Sequence, residues 1–159
     1  MMKYADSKVV FREIPDEVTL AINISNCPVK CPGCHSSYLV NDVGEPLDYA
    51  ALSSLIESNP GITCVSFMGG DGEPRLIHEF AKWIKSTYKG LKVGWYSGRD
   101  LDNARQNLDV LDYVKVGPFI DEYGPLDNPN TNQRFYAVTQ TPDGPKLEDW
   151  TKKFLKKFI

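Results

Sequence analysis

The stretch VTLAINISNCPVKCPGCH, residues 18–35, joins a predicted strand to a dense group of cysteines. Its first part, residues 18–24, alternates and is rich in β-branched and aliphatic residues, as expected of a strand. Cys27, Cys31 and Cys34 follow within eight residues, and His35 comes directly after them. The pattern predicts a strand that ends in a loop carrying three thiols.

Downstream of this stretch, strands, glycine turns and helices alternate. The predicted elements are a helix over 48–58 with Asp48 as its N-cap, strands over 62–68, 91–96 and 113–116, and helices over 74–88 and 101–108. Strands that alternate with helices favour right-handed crossovers and a mainly parallel sheet. In such sheets the ligand site lies beyond the carboxyl ends of the strands, where the cysteine loop and the glycine turns fall.

The rest of the chain predicts a long loop, a strand and a last helix. Residues 119–132 consist mostly of turn formers and are interpreted as a loop with functional contacts. A strand is predicted over 134–138 and a final helix over 147–158, whose apolar residues recur with helical spacing. No repeat or flexible linker interrupts the sequence, so we expect one domain over residues 1–159.

Length and composition restrict the possible classes of protein. The 159 residues are 42% hydrophobic and 25% charged, which is typical of a globular domain. A closed α/β barrel needs roughly 250 residues, so a partial barrel or a small open sheet is expected. The net charge of -3 favours neither nucleic acid nor an acidic membrane surface as a partner. No apolar stretch reaches the ~20 residues of a membrane span, and we expect a cytoplasmic protein with reduced thiols.

Four kinds of site compete for the cysteine loop. Cys31 to His35 satisfies the C-x-x-C-H pattern of haem attachment, but leaves Cys27 without a role. A closed zinc site needs four ligands, whereas only three thiols cluster here. A redox-active C-x-x-C pair would again leave Cys27 without a role. An iron–sulfur cubane takes four thiolates, so three from one loop leave one iron open to a small chelating ligand. Cys64 lies in a predicted strand and is interpreted as a core thiol, and His78 as a surface residue of a helix.

The C-x₃-C-x₂-C spacing after the first strand resembles the signature of the radical S-adenosylmethionine (SAM) superfamily. With the chain length and the Cys31-Pro-Gly-Cys34 sequence, the chain is similar to the activating proteins of anaerobic ribonucleotide reductases. The resemblance implies a partial, TIM-like βα barrel. It also implies that Cys27, Cys31 and Cys34 hold a 4Fe-4S cluster whose remaining iron is chelated by SAM.

Further motifs extend this resemblance. Met68-Gly-Gly-Asp71 resembles the glycine-rich SAM-binding stretch, and since the superfamily places Pro directly after its acidic residue, either Asp71 or Glu73 fills that position here. Tyr96-Ser-Gly98 is similar to the Tyr-Thr-Gly of the reductase activators, and Asn132-Gln-Arg134 matches their Asn-Gln-Arg. The cofactor-binding residues implied in this way are Gly69, Gly70, Asp71, Glu73, Tyr96, Ser97 and Gly98.

The implied activity is reductive cleavage of SAM to a 5′-deoxyadenosyl radical, which removes hydrogen from a glycine of a partner anaerobic ribonucleotide reductase. An electron donor such as flavodoxin or ferredoxin is expected, and no acid–base pair is needed. Alternative interpretations are a small-molecule radical SAM enzyme similar to the synthases of the deazaguanine pathway, an activator of another glycyl-radical enzyme, or a non-catalytic zinc or iron–sulfur module.

Overall fold

A computed structural model of the chain describes residues 2–25 and 42–155, which form one sheet with helices on one side. The strands are β1 (Lys3–Val10), β2 (Thr19–Ile24), β3 (Glu45–Pro46), β4 (Cys64–Met68), β5 (Lys92–Tyr96), β6 (Tyr113–Val116), β7 (Arg134–Thr141) and β8 (Gly144–Asp149). Their order across the sheet is β3-β1-β2-β4-β5-β6-β7-β8. The helices are α1 (Tyr49–Glu57), α2 (Pro74–Thr87) and α3 (Leu101–Ala104), which runs on into a 3₁₀ segment, Arg105–Val110.

The centre of the sheet is parallel and its flanks are antiparallel. β2, β4, β5 and β6 pair in parallel, whereas the pairings of β1 with β2 and β3, of β6 with β7 and of β7 with β8 are antiparallel. The parallel strands are those that the sequence pattern predicts, and Asp48 caps α1 by accepting from the Ala51 N–H at 2.8 Å. The mainly parallel sheet expected from the sequence is therefore found in the four central strands alone, because four of the seven pairings among the described strands are antiparallel, and the described strands do not close a barrel.

One face of the sheet packs against the helices and contains the main core. Phe67 and Trp95 point to this helix face and are fully buried. They meet residues of the helices that recur at helical spacing, such as Ile77, Phe80 and Ile84 on α2. The Phe67 and Phe80 rings stack with centroids 6.2 Å apart. Large apolar side chains on both sides of this contact explain why α2 is strongly amphipathic.

The opposite face, here called the second face, carries smaller and more polar side chains on the central strands. Its residues on β2, β4, β5 and β6 are Thr19, Ala21, Asn23, Cys64, Ser66, Met68, Lys92, Gly94, Tyr96, Tyr113 and Lys115. Ile14, from the connection after β1, lies close against Gly94. A Cβ atom on Gly94 would come within 2.7 Å of the Ile14 Cδ1. A second core forms around Ile14, Phe135 and Tyr113 on this face.

The prediction of a final helix over 147–158 is wrong for its described residues, 147–155. Residues 144–149 form β8, which pairs with β7, and Thr151–Phe154 is a short 3₁₀ turn. Residues 156–158 of that prediction lie outside the described residues. The turn Pro142-Asp-Gly144 reverses the chain, with Gly144 at φ +110°, and directs it into the hairpin. The residues assigned to one helical face are then divided, since Leu147 packs on the helix-face core and Trp150 and Phe154 pack on the second-face core.

The N-terminal strand β1, to which the sequence pattern assigns no element, supports both flanks of the cysteine-bearing segment. The Ser25 N–H donates to the Lys3 carbonyl at 3.0 Å, and the Leu47 N–H donates to the Met2 carbonyl at 2.8 Å. The Lys3 ammonium also pairs with Asp42 at 3.1 Å. Residues 2–3 therefore hold the chain on both sides of residues 26–41. Within the described ranges, no helix has the length and apolar character needed to cross a membrane.

Candidate functional site

The turns that follow β4, β5 and β6 lie side by side at the carboxyl edge of the sheet. The Gly69 N–H donates to the Tyr96 carbonyl at 3.0 Å, and the Ser97 N–H donates to the Lys115 carbonyl at 2.8 Å. The Gly117 N–H donates to the Arg99 carbonyl at 2.7 Å. Hydrogen bonding thus continues past the ends of the strands and brings the predicted residues of two separate motifs, 69–73 and 96–98, into one place.

Asp71 joins the turns of β4 and β5 through its side chain. The Ser97 hydroxyl donates to one carboxylate oxygen of Asp71, and the Gly98 N–H donates to the other at 2.9 Å. The Ser97 oxygen in turn accepts from the Arg99 N–H at 3.1 Å. Asp71 is 3% exposed and Ser97 is fully buried, so this contact is shielded from water. The sequence places Asp71 in the site, but gives no signal for its link to Ser97.

The two glycines before Asp71 adopt a backbone conformation that other residues rarely reach. Gly69 has φ +108° and Gly70 has φ +89°. A Cβ on Gly70 would also come within 2.7 Å of the Ile77 side chain on α2. The Gly69 carbonyl accepts from the Trp95 indole N–H at 2.7 Å, and a carbonyl oxygen has two lone pairs, so a second donor can still be accepted. The glycine turn is therefore held from the core side by an indole that no sequence motif identifies.

Glu73 is the other acidic candidate of this turn. It is half-buried, directly precedes α2, and its backbone N–H donates to the Gly70 carbonyl at 3.0 Å. Asp71 and Glu73 thus differ in environment, because the first is enclosed between two turns and the second lies at the start of a helix.

Tyr96 points along the second face, and its hydroxyl bonds within the protein. The hydroxyl donates to the Glu13 carbonyl, and the ring packs edge-on against Phe135 with centroids 6.1 Å apart. Burial raises the pKa of the phenol, and the nearby Glu13 charge raises it further. The side chain therefore stays neutral and serves the second core, while its backbone carbonyl belongs to the row of turns.

Polar side chains gather at the exit of β6, and of these Lys115 was not identified from the sequence. The Lys115 ammonium lies 5.6 Å from the centre of the Tyr96 ring and donates to the Gly117 carbonyl at 3.4 Å. Gln133 donates to the same carbonyl at 3.4 Å, and Asn132 donates to the Pro118 carbonyl at 3.0 Å. Lys115 is 9% exposed. Its position in the alternating run Tyr113-Val-Lys-Val116 is the signal that could have placed a cation on the second face.

Cys64 is the described cysteine, and its environment is that of a core residue. It is fully buried on β4, and burial raises the pKa of its thiol, as do the charges of Glu17 and Asp112. This confirms Cys64 as a core thiol and makes it a poor metal ligand, since metals bind the thiolate. Cys27, Cys31, Cys34 and His35 lie outside the described residues. Among the described residues, no group of three His, Cys, Asp or Glu side chains is arranged to hold a metal.

The comparison with known families identifies the class of protein. Residues 17–136 match the model of a family described as a 4Fe-4S single cluster domain. The match covers about three quarters of the 159 residues, and the chain therefore belongs to this family. It begins just before β2 and ends within β7, so it contains Cys27, Cys31 and Cys34 and the turns that follow β4, β5 and β6. No curated protein and no solved structure matches the chain.

The chain's own donors fit such a cluster. Of the four cysteines in the sequence, Cys64 is enclosed in the core, which leaves Cys27, Cys31 and Cys34 as the thiols that would hold it. Three thiolates are one fewer than a cubane usually takes from a protein.

Proposed function

We propose that this protein is a radical SAM activase that generates a glycyl radical on an anaerobic ribonucleotide reductase. The observation that carries the proposal is the row of glycine turns at the carboxyl edge of the parallel strands, next to the strand that leads into the three cysteines. This chemistry requires two parts, a 4Fe-4S cluster and an edge of the sheet that accepts a ligand. Membership of a family of 4Fe-4S single cluster domains supports the first part, and the carboxyl edge of the parallel strands supports the second.

The cysteines supply the first part. Cys27, Cys31 and Cys34 would hold a 4Fe-4S cluster that, once reduced by an external donor such as flavodoxin or ferredoxin, would supply the one electron needed to split SAM into methionine and a 5′-deoxyadenosyl radical. An iron without a protein donor is the place where the amino and carboxylate groups of SAM would chelate. The protein's task is then to orient SAM, to exclude water and to tune the cluster.

The glycine turns supply the second part. At Gly69 and Gly70 the backbone has no side chain to keep a ligand away, and its carbonyls are acceptors suited to the ammonium group of SAM. Ser97 and Gly98 form the adjoining turn, and the Gly98 N–H donates to the Asp71 carboxylate at 2.9 Å. SAM would therefore lie across the turns of β4 and β5, contacted mainly by main-chain groups.

The proposed partner is a protein, because the sheet is open and one loop near the site presents apolar side chains. Ile120 is 37% exposed and Tyr123 is 44% exposed, both within the loop that follows β6. Asn132 and Gln133 hold the two ends of this loop together through the carbonyls of Pro118 and Gly117, while Arg134 is exposed. Together with the Asn-Gln-Arg resemblance, these features favour a partner loop over an enclosed small molecule.

The first experiment tests the class of activity. The full chain is reconstituted anaerobically with iron and sulfide, reduced with dithionite and given SAM. We expect a brown protein that releases 5′-deoxyadenosine, measured by liquid chromatography. A colourless protein that binds zinc and releases no 5′-deoxyadenosine would instead identify a structural metal module.

The second experiment tests the partner. The reduced, SAM-loaded protein is incubated anaerobically with an anaerobic ribonucleotide reductase, and the mixture is examined by electron paramagnetic resonance. We expect the doublet of a glycyl radical. SAM cleavage without this doublet would favour a small-molecule substrate or another glycyl-radical enzyme.

A further inference from the structure

We infer that Asp71 is a positioning residue that sets the spacing of the β4 and β5 turns, and does not itself contact SAM. This inference rests on the proposed SAM binding for its effect on activity. The link that it describes is present in the fold itself.

Both carboxylate oxygens of Asp71 are engaged by the neighbouring turn. One accepts from the Ser97 hydroxyl and the other from the Gly98 N–H at 2.9 Å. Ser97 is fixed in turn, since its oxygen accepts from the Arg99 N–H at 3.1 Å. Asp71 is 3% exposed as a whole residue, so a ligand at the edge of the sheet meets the turns before it meets this side chain.

The glycines around this link explain why it is needed. Gly69, Gly70, Gly72 and Gly98 all lie within the two turns, and glycine has more backbone freedom to lose than any other residue. A main-chain hydrogen bond joins the two turns at their bases, where the Gly69 N–H donates to the Tyr96 carbonyl at 3.0 Å. A buried carboxylate that accepts two hydrogen bonds across the gap restricts the glycine-rich parts beyond that point.

The consequence is a ligand site that is ordered before SAM arrives. We take main-chain groups of both turns to contact SAM. If the link is loosened, the turns become ordered only when SAM binds, and the entropy lost in ordering them makes the free energy of SAM binding less favourable. Affinity for SAM should then fall more than the rate of cleavage of bound SAM.

The test uses four variants of the reconstituted full chain: D71N, S97A, S97T and the double variant D71N/S97A. D71N keeps the shape but turns one acceptor into a donor facing the Gly98 N–H or the Ser97 hydroxyl. S97A removes the hydroxyl, whereas S97T keeps it and serves as the matched control. For each variant, the release of 5′-deoxyadenosine is followed at a series of SAM concentrations, which separates the KM for SAM from the turnover rate at saturation.

We expect D71N and S97A each to raise the KM for SAM about tenfold with a smaller change in the turnover rate, and S97T, which keeps the hydroxyl, to raise the KM less than S97A does. Because the two side chains act as one link, the double variant should be no worse than D71N alone. A large effect of D71N with none of S97A, or effects that multiply in the double variant, would overturn the inference and return Asp71 to direct ligand contact.

A second measurement separates this inference from the proposed function. Urea midpoints of the same four variants report the link without any SAM. We expect the shifts of D71N and S97A to be non-additive in the double variant. If the wild type cleaves no SAM, the proposed function fails while this cycle still decides the link, and additive midpoints would show that the link is absent.

Discussion

On β4, Ser66 and Phe67 are neighbours in sequence and both are fully buried, but they belong to opposite faces of the sheet. Phe67 stacks on Phe80 within a continuous apolar core. Ser66 faces a surface of small and polar residues, and its partner on the adjacent strand β5 is Gly94. The same alternation separates Trp95 from Tyr96 and Val116 from Lys115.

The difference separates the face that holds the main core from the face that carries the smaller and more polar side chains. The helix face uses large side chains, whose burial drives folding. The second face has small residues, Ser66 and Gly94, at its centre in place of large apolar side chains. Towards the carboxyl edge it carries Tyr96 and Lys115 beside the turns. Four predictions test this division, from the largest expected effect to the smallest.

The largest contrast is expected among the four cysteines. Replacing Cys27, Cys31 or Cys34 by Ala should abolish the brown chromophore and SAM cleavage, because each change removes one of the three proposed cluster ligands. Cys64→Ala should keep both, since this thiol is buried in the sheet. Visible absorption and 5′-deoxyadenosine release measure the two effects, and cleavage retained by Cys27→Ala would return the site to a two-cysteine type.

The next contrast compares the two neighbours on β4. Phe67→Ala should lower the free energy of unfolding by about 3–5 kcal/mol, because it leaves a cavity in the main core. Ser66→Ala should change it by less than about 1 kcal/mol, since its hydroxyl makes only a weak contact with the Met68 sulfur at 3.8 Å. Urea unfolding measures both, and equal losses would contradict the division between the faces.

Two glycines with positive φ give a finer contrast. Gly70→Ala and Gly61→Ala both place a Cβ in the left-handed region, at φ +89° and φ +91°, which costs about 1–3 kcal/mol each. A Cβ at Gly61 has open space, whereas at Gly70 it meets Ile77. Gly70→Ala should therefore cost about 1–3 kcal/mol more and should also weaken SAM cleavage. Matched urea midpoints for the two variants would show that the Ile77 side chain moves aside.

The smallest effect is a dependence of stability on alkaline pH. Burial raises the pKa of Cys64 and of Tyr113 above their ordinary values of 9.0 and 10.0. The unfolded chain therefore loses protons that the folded chain keeps, and the free energy of unfolding falls as the pH rises above 9.0.

For Cys64 the slope approaches about 1.4 kcal/mol per pH unit, the limit for one proton. Urea unfolding between pH 8 and pH 11 measures it, and Cys64→Ala should be flatter than the wild type between pH 9 and pH 10. An equal slope in that interval would mean that the buried thiol ionises in the folded protein.

Much of the central fold follows from local sequence signals. The period of α2, the N-cap at Asp48 and the apolar runs of β4, β5 and β6 are features of consecutive residues, and the elements lie where these predict. The C-terminal hairpin shows the limit, because Leu147, Trp150 and Phe154 have helical spacing but pack on both faces of the sheet. The competing signal was the Pro142-Asp-Gly144 turn, which decides the direction of the chain.

The candidate site was predictable in its positions and not in its contacts. Glycines and an acidic residue after strands mark the turns, but the bond from Trp95 to Gly69 and the link from Asp71 to Ser97 join residues 26 positions apart. Such pairs depend on strand register, which follows from the whole sheet. The same holds for Lys115, whose neighbours are Tyr96 on β5 and Gln133 just before β7.

The anchoring of residues 25 and 47 to the first residues of the chain has a practical consequence. Main-chain bonds from Met2 and Lys3 bring the two flanks of the thiol-bearing segment together before any iron is present. Bringing the ends of a segment of this length together carries an entropic cost, which the sheet offsets through these bonds. Deleting residues 2–3 would remove both acceptors, so we expect such a deletion to weaken cluster binding.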